Sequence, residues 1–217
     1  MPKRRHPLRR PDRAFVFPDC PIPFHPNVSP KEILKSGAYG GSYFRDIRDE
    51  HGTLHRGKAQ ISEFPESWFR GLVPEKHLHS PIYDIKVNCY RAKCGTGLKM
   101  WHAKKWMRPQ DPYGWFQWYC RFFAGRRDTD EDKRQIKRAN AVMGPSGRWR
   151  VRLTRLCERK NVSCKDPNHY PVLRQILLHW GFRIPGESPK KLREMQARFD
   201  RDPPKRTSVD PYTMKYL

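Results

Sequence analysis

The sequence predicts a mostly helical α+β fold, a single compact domain around an aromatic core helix at residues 112–124, with a small irregular β element and basic extensions at both ends. Helix caps and apolar periodicity recur through the second half of the chain, whereas the first half has short aromatic and glycine-rich segments. Aromatic residues make up 12% of the 217 residues, which argues against a disordered polycation and supplies one sizeable core.

Three parts are expected along the chain. Residues 1–28 are rich in proline and arginine and predict a basic extended arm, because proline suits neither a helix interior nor a central strand. Residues 29–185 are the predicted domain. Residues 186–217 predict a basic C-terminal helix, which starts at Ser188-Pro189, and a polar tail.

The domain is predicted to begin with a capped helix. Ser29-Pro30-Lys31-Glu32 combines an N-cap hydroxyl, a first-turn proline and a glutamate at the third helical position, which is a capping box. Gly37 is expected to end this helix. The weak aromatic alternation over residues 37–47 then predicts a strand with a glycine bend, and a second strand is expected over residues 82–90.

The core helix is predicted from its aromatic content. Asp111-Pro112 supplies a cap and a first-turn proline, and Gly125 follows the last apolar residue. Two adjacent helical faces between them are apolar, so that a helix buried over most of its circumference is expected. Those faces carry Trp115, Trp118, Tyr119 and Phe122, and Phe116, Cys120 and Phe123.

A basic helical hairpin is predicted at residues 129–160. Thr129 is the expected cap of its first helix, and Gly144-Pro145-Ser146-Gly147 forms a tight turn before the second. Four arginines of the second helix are spaced by four, three and four, which places them on one stripe: Arg148, Arg152, Arg155 and Arg159. The outline is helix–turn–helix-like. A further helix is expected over residues 172–180.

The charge of the chain indicates a polyanionic partner. Lys and Arg number 45 against 22 Asp and Glu, a formal net charge of +23. Such a charge destabilises a compact protein, and nucleic acid is the commonest polyanion that offsets it. The predicted phosphate-binding residues are the four arginines of the stripe and, in the arm, Lys3, Arg4, Arg5, Arg9 and Arg10. The alternative for the stripe is a solvated basic face on an ordinary helical hairpin.

A second basic segment, residues 98–106, interleaves lysines with Trp101 and Trp106. Exposed aromatic rings beside lysine can stack on the bases of a single strand. The competing interpretation places both tryptophans in the core of a short helix, since large aromatic residues are mostly buried.

Two other groups carry candidate chemistry. Asp46, Asp49, Glu50 and His51 would be the catalytic residues of a metal-dependent nuclease if their carboxylates converge, and otherwise form a solvated loop. Cys157, Cys164 and His169 are zinc-ligand types without the tight cysteine pair of structural zinc sites. The leading interpretation therefore has no catalytic residue, metal or cofactor.

Several segments resemble an uncharacterised family with algal, fungal and large DNA-virus members. They are Ser29 to Leu34, the GAYGGSYFR stretch from Gly37, KCGT from Lys93, DPYGWFQWY from Asp111, and Arg134 to Arg138 with Gly144-Pro145 after it. The resemblance covers about residues 29–181 and implies one intracellular domain. It implies no activity and no catalytic residues.

The sequence thus predicts a non-enzymatic protein that binds DNA or RNA through the phosphate backbone. It would be DNA-associated, or a structural component of a large ribonucleoprotein such as a ribosome. The alternatives are the nuclease-like enzyme and a basic scaffold that binds an acidic protein. No segment is apolar enough to cross a membrane, and an intracellular location is expected, in the nucleus or a nucleoprotein particle, with the mitochondrion as the alternative.

Overall fold

The fold is taken from a computed structural model, which describes residues 6–20 and 22–203. In chain order its helices are α1 (Pro30–Lys35), α2 (Gly57–Ile61), α3 (Pro74–His77), α4 (Leu98–Ala103), α5 (Trp115–Phe123), α6 (Thr129–Met143), α7 (Arg148–Arg159), α8 (Pro171–His179) and α9 (Pro189–Arg201). Short 3-10 turns lie at Glu66–Trp68 and Ile85–Val87.

The strands form two separate antiparallel hairpins. β1 (Leu8–Arg9) pairs with β2 (Phe15–Val16), with Leu8 opposite Val16. β3 (Ile47–Arg48) pairs with β4 (Leu54–His55), with Ile47 opposite His55. A mostly helical α+β fold around a buried aromatic cluster is therefore confirmed.

Helix α5 is the centre of the core, as its composition predicts. Trp118, Tyr119 and Phe122 are fully buried, and the indole N–H of Trp118 donates to Asp132 Oδ1 at 2.8 Å, which ties α5 to α6. The predicted cap is wrong: the helix begins after Gly114, at φ +77°, and not after Asp111. The reason is a tertiary contact, because the buried Asp111 carboxylate binds arginines instead of backbone amides.

The N-terminal segment differs from the predicted arm. Phe15, Phe17, Phe24 and Val28 are buried in the same core as α5, and the Phe24 ring lies 5.9 Å from that of Trp118. Burying three phenylalanines contributes several kcal/mol, which outweighs the proline-rich composition. The core therefore starts well before Ser29, and the boundary expected there is not the edge of the core.

In the first half of the domain the capped helix and a small β element are present as predicted, but the strands are not at the predicted positions. Ser29 caps α1 in a reciprocal capping box with Glu32. The strands expected over residues 37–47 and 82–90 are wrong: residues 37–45 form successive turns, and a 3-10 turn occupies Ile85–Val87. Tertiary contacts fix these turns, since the backbone of Gly41 lies directly against the Lys76 carbonyl.

In the second half the predicted helices are present. The cap of α6 is Asp128, whose side chain accepts from the Glu131 amide, so the predicted Thr129 is the first helical residue instead. Helix α9 begins after Ser188, as predicted, and packs onto the domain through Met195 and Phe199. Asp200 of α9 binds Arg91 at 2.9 Å. In residues 6–20 and 22–203, no helix is long and apolar enough to span a membrane.

Candidate nucleic-acid interface

Helix α7 presents one face to the core and the opposite face to solvent. Trp149, Leu153 and Cys157 are buried in the main core, where α7 packs against α6 and α8. Their spacing of four fixes the rotation of the helix about its axis. The four predicted arginines lie on a different side of the helix from these three buried residues.

The four arginines line one concave surface, as their spacing predicts. Arg148, Arg155 and Arg159 are exposed and Arg152 is half-buried. Together with Ser146, Val151 and Leu156 they enclose about 440 Å³, and we call this surface the α7 groove. The sequence predicts the arginines of this groove but not its apolar residues. Val151 and Leu156 have the pattern of ordinary packing residues.

The charge of the α7 groove is not neutralised. Within the described part of the chain, none of its four arginines has a carboxylate at ion-pair distance, although Arg121, Arg127 and Arg134 all have one. Arg148 lies 4.4 Å above the ring of Trp149. The Nε of Arg152 is buried without a hydrogen-bond partner among the residues described, an arrangement that costs free energy until an acceptor arrives.

The start of α7 adds to this positive potential. Gly147 caps the helix without a side-chain hydrogen bond, so the first-turn amides are not satisfied by a cap. The positive end of the helix dipole lies beside Arg148 and the Ser146 hydroxyl, and such ends favour bound anions.

The predicted arm residues are placed elsewhere. Arg9 Nη2 donates to Glu32 Oε1 at 2.8 Å, and Arg10 lies 3.5 Å from Asp12. The Arg9 contact holds the β1–β2 hairpin beside α1, whereas the Arg10 contact lies within the hairpin, and neither residue lines the α7 groove. The other predicted arm residues, Lys3, Arg4 and Arg5, lie outside the described part of the chain.

The acidic cluster shapes a hairpin. Asp46 accepts from the Gly57 amide and from Arg56, both at 2.9 Å, and these bonds lower its pKa, the amide bond most. Asp49 closes the β3–β4 turn by accepting from the amides of His51 and Thr53.

The cluster does not converge on a metal-binding centre. A hydrogen bond from His55 lowers the pKa of Asp49 to about 2. Glu50 lies 4.0 Å from the exposed His51. In residues 6–20 and 22–203, no three His, Cys, Asp or Glu side chains are grouped as metal ligands.

The cysteines are mostly buried. Cys157 faces the core from α7, and burial, with the neighbouring Cys164, raises the pKa of its thiol. His169 packs beside Tyr170. Sequence reasoning misses one pair: Cys94 Sγ lies 3.5 Å from Nδ1 of His179, whose Nε2 donates to the Ala38 carbonyl at 2.6 Å. Cys94 is buried and His179 is half-buried, which suits a structural role.

The two tryptophans of the second basic segment have different environments. Trp101 is half-buried, and its indole N–H donates to Thr96 Oγ1 at 3.1 Å. Trp106 remains exposed, like the neighbouring Met100. The core interpretation therefore describes Trp101 only.

Comparison with models of known protein families, with curated protein sequences and with solved structures finds no match to this chain. The resemblance described from the sequence is not tested by this result and stays an expectation. The residues and their geometry therefore carry the functional argument.

Proposed function

We propose that this protein is a non-enzymatic nucleic-acid-binding protein that holds the phosphate backbone in the α7 groove. One observation carries the proposal: four arginines share a concave surface and have no carboxylate partner in the part of the chain described. Guanidinium groups donate paired hydrogen bonds to phosphate, so this surface matches a polyanion in both charge and chemistry.

The length of the stripe fits one strand of nucleic acid. Arg148 and Arg159 are eleven residues apart, which is about 16 Å along a helix axis at 1.5 Å per residue. One strand of a duplex carries one phosphate per about 3.4 Å of its own axis, and therefore about five phosphates over that length. Four arginines against about five phosphates is a close match of charge density.

The contacts favour backbone binding over base reading. Arginines that donate paired hydrogen bonds to phosphates fix the position of the protein on the nucleic acid, but they do not distinguish one base sequence from another. A protein that binds in this way would be DNA-associated or a structural part of a ribonucleoprotein. It would act in the nucleus or a nucleoprotein particle, or in the mitochondrion, and it would need no cofactor.

The test is the salt dependence of binding to a fluorescent 20-base-pair duplex, followed by anisotropy between about 50 and 200 mM salt. The wild-type association constant should fall steeply over this range. The double variant Arg152→Gln/Arg155→Gln should reduce the slope of log K against log[salt] by about 1.8, which is 0.9 for each lost phosphate contact.

A matched control distinguishes the contribution of the α7 groove to binding from that of the overall positive charge. Lys133→Gln/Lys137→Gln removes two exposed charges from α6, outside the groove, and should change the slope far less. Equal losses in the two variants would contradict the proposal. Equal affinity of the wild type for polyglutamate would favour the acidic-protein alternative, and Mg²⁺-dependent cleavage of the probe would favour the enzyme.

A further inference from the structure

A second group of basic side chains follows the end of the α7 groove. Four cations from the segment between α7 and α8 and from the start of α9 are exposed. They are Lys160, Lys165, Lys190 and Arg193, and we call them the α9 surface. Lys160 comes directly after Arg159, the last arginine of the α7 groove, so the two surfaces adjoin at the end of α7.

The loop before α8 is fixed to α9, which brings side chains distant in sequence together. The Ser188 amide donates to the Lys165 carbonyl at 2.9 Å and places Lys165 beside the start of α9. One turn further along, Lys191 Nζ binds Asp166 Oδ2 at 2.6 Å. The loop therefore runs along one side of α9, and its cations and those of the helix belong to one surface.

The core supports both ends of this surface. Helix α9 is anchored by Met195 and Phe199, which are buried. Lys160 Nζ lies 5.6 Å from the centre of the Tyr170 ring, and the Tyr170 hydroxyl donates to the Leu156 carbonyl at 3.1 Å. The four cations are therefore displayed from packed segments and not from a free tail.

The charge of the α9 surface is not neutralised by folding. In residues 6–20 and 22–203, none of its four cations has a carboxylate at ion-pair distance. Asp166, the acidic residue of the loop, binds Lys191 instead. Glu194 follows Arg193 and makes no ion pair within the same ranges, so the net charge of the surface stays positive. A surface of this kind attracts a polyanion.

We infer that the α9 surface is a second phosphate-binding site, which holds the nucleic acid where it leaves the α7 groove beyond Arg159. The inference rests on the proposed function and adds to it the length of the ligand. The arginine stripe spans about 16 Å, so a duplex of about 6 base pairs, at about 3.4 Å each, is long enough to fill the α7 groove. A longer nucleic acid is required to reach the α9 surface, and it should bind more tightly.

The experiment compares hairpin-closed DNA duplexes of about 6 and about 20 base pairs by fluorescence anisotropy, between about 50 and 200 mM salt. The variant tested is Lys160→Gln/Lys165→Gln/Lys190→Gln/Arg193→Gln. For the long duplex it should reduce the slope of log K against log[salt] by up to about 3.6, which is 0.9 for each lost phosphate contact. For the short duplex the slope should hardly change.

A control variant removes the same number of charges elsewhere. Lys35→Gln/Lys58→Gln/Arg70→Gln/Lys76→Gln neutralises exposed cations of α1, α2, α3 and the segment before α3. This variant should change the slope far less for either duplex. Equal losses in the two quadruple variants would overturn the inference, because the overall positive charge would then explain both.

A second readout uses the unaltered protein. Acetylation of lysines by an N-hydroxysuccinimide ester, followed by mass spectrometry, should be suppressed at Lys160, Lys165 and Lys190 by the long duplex and not by the short one. Lys58 and Lys76 should react equally in all samples. Full reactivity of the three α9-surface lysines in a saturated complex would overturn the inference, whether or not the quadruple variant folds.

The outcomes distinguish the two proposals. If Arg152→Gln/Arg155→Gln weakens binding to both duplexes and the α9-surface variant changes neither, the inference is overturned and the proposed function stands. If the α9-surface variant weakens binding to the long duplex while the arginine variant has no effect, the α9 surface is supported and the α7 groove is not. Protection of the same lysines by polyglutamate and not by the duplex would identify an acidic protein as the partner and overturn both.

Discussion

Arg174 and Glu187 form a buried ion pair, with Nη1 and Oε1 2.7 Å apart and with only 1% and 4% of their side-chain surfaces exposed. The remaining Glu187 oxygen accepts from the Tyr90 hydroxyl at 2.6 Å. Arg174 also donates to backbone carbonyls of the loop between α7 and α8, at residues 164, 166 and 169. One buried charge pair therefore joins that loop, helix α8 and the entry to α9.

Removing one member of this pair should be strongly destabilising. Arg174→Leu leaves the Glu187 carboxylate buried without its main partner, and the free energy of unfolding should fall by about 3–5 kcal/mol in urea titrations. Lys191→Leu breaks the exposed pair with Asp166 and should cost less than about 1 kcal/mol. Similar losses in both variants would mean that the Arg174 pair is solvated in solution.

The stability of the protein should depend on the protonation of His179. Burial lowers the pKa of His179 to about 4, against the opposing hydrogen bond to the Ala38 carbonyl, whereas the ordinary value is 6.5. The unfolded chain therefore binds the proton more readily than the folded one between these values. The contribution of His179 is full above pH 6.5 and is lost as the pH falls towards 4, by about 3 kcal/mol.

The variant His179→Gln isolates this contribution. Its unfolding free energy, measured from pH 7 to pH 4, should lack that part of the pH dependence, whatever its absolute stability. His51→Gln, at an exposed histidine, should follow the wild-type curve. A His179→Gln curve parallel to the wild type would show that the imidazole is accessible to protons in the folded state.

Gly41 should be far less replaceable than Gly71, although both have left-handed backbones, at φ +78° and +84°. A Cβ at Gly41 would lie 1.9 Å from the Lys76 carbonyl oxygen, whereas nothing lies within 4 Å of one at Gly71. Gly71→Ala should lower the free energy of unfolding by about 1–2 kcal/mol, because alanine is strained in a left-handed backbone conformation. Gly41→Ala should cost more than about 4 kcal/mol in thermal unfolding, because the backbone must also move. Equal costs would disprove the close approach.

The arginine stripe should reduce the stability of the free protein. Like charges three or four residues apart on a helix repel by about 0.2–0.5 kcal/mol per pair. Arg152→Gln/Arg155→Gln removes three such pairs and should raise the free energy of unfolding by about 1 kcal/mol at low ionic strength. The gain should vanish at high salt. Arg134→Gln, which breaks an ion pair with Glu131, should show no gain at either salt concentration.

Helices with local signals were predictable from the sequence. The Ser29 capping box, the proline at the start of α9 and the spacing of the arginines on α7 each depend on residues within one or two turns. The α7 face was predictable for the same reason, because the buried Trp149 and Leu153 fix the helix rotation.

The failures share a physical cause, which is long-range contact. The local sequence predicts Asp111 to be a helix cap. Its carboxylate instead binds Arg126, which is fifteen residues away along the chain, at 2.6 Å. The proline content predicts that Phe17 belongs to an extended arm, but its ring lies 4.8 Å from that of Phe122 in the core. No local pattern reports such partners, although the alternation of Phe15 and Phe17 is a weak signal for a strand with one buried face.

The two ends of the domain meet at Asn27 and Arg183. The Asn27 side chain donates to the Arg183 carbonyl and accepts from the Arg183 amide, both at 2.8 Å, across 156 residues. During synthesis, the phenylalanines of the N-terminal segment can be covered once α5 has emerged, because Phe17 packs on Phe122 and Phe24 on Trp118. The junction at Asn27 closes later, only after Arg183 has left the ribosome, so α6, α7 and α8 are made while this part of the domain is still open.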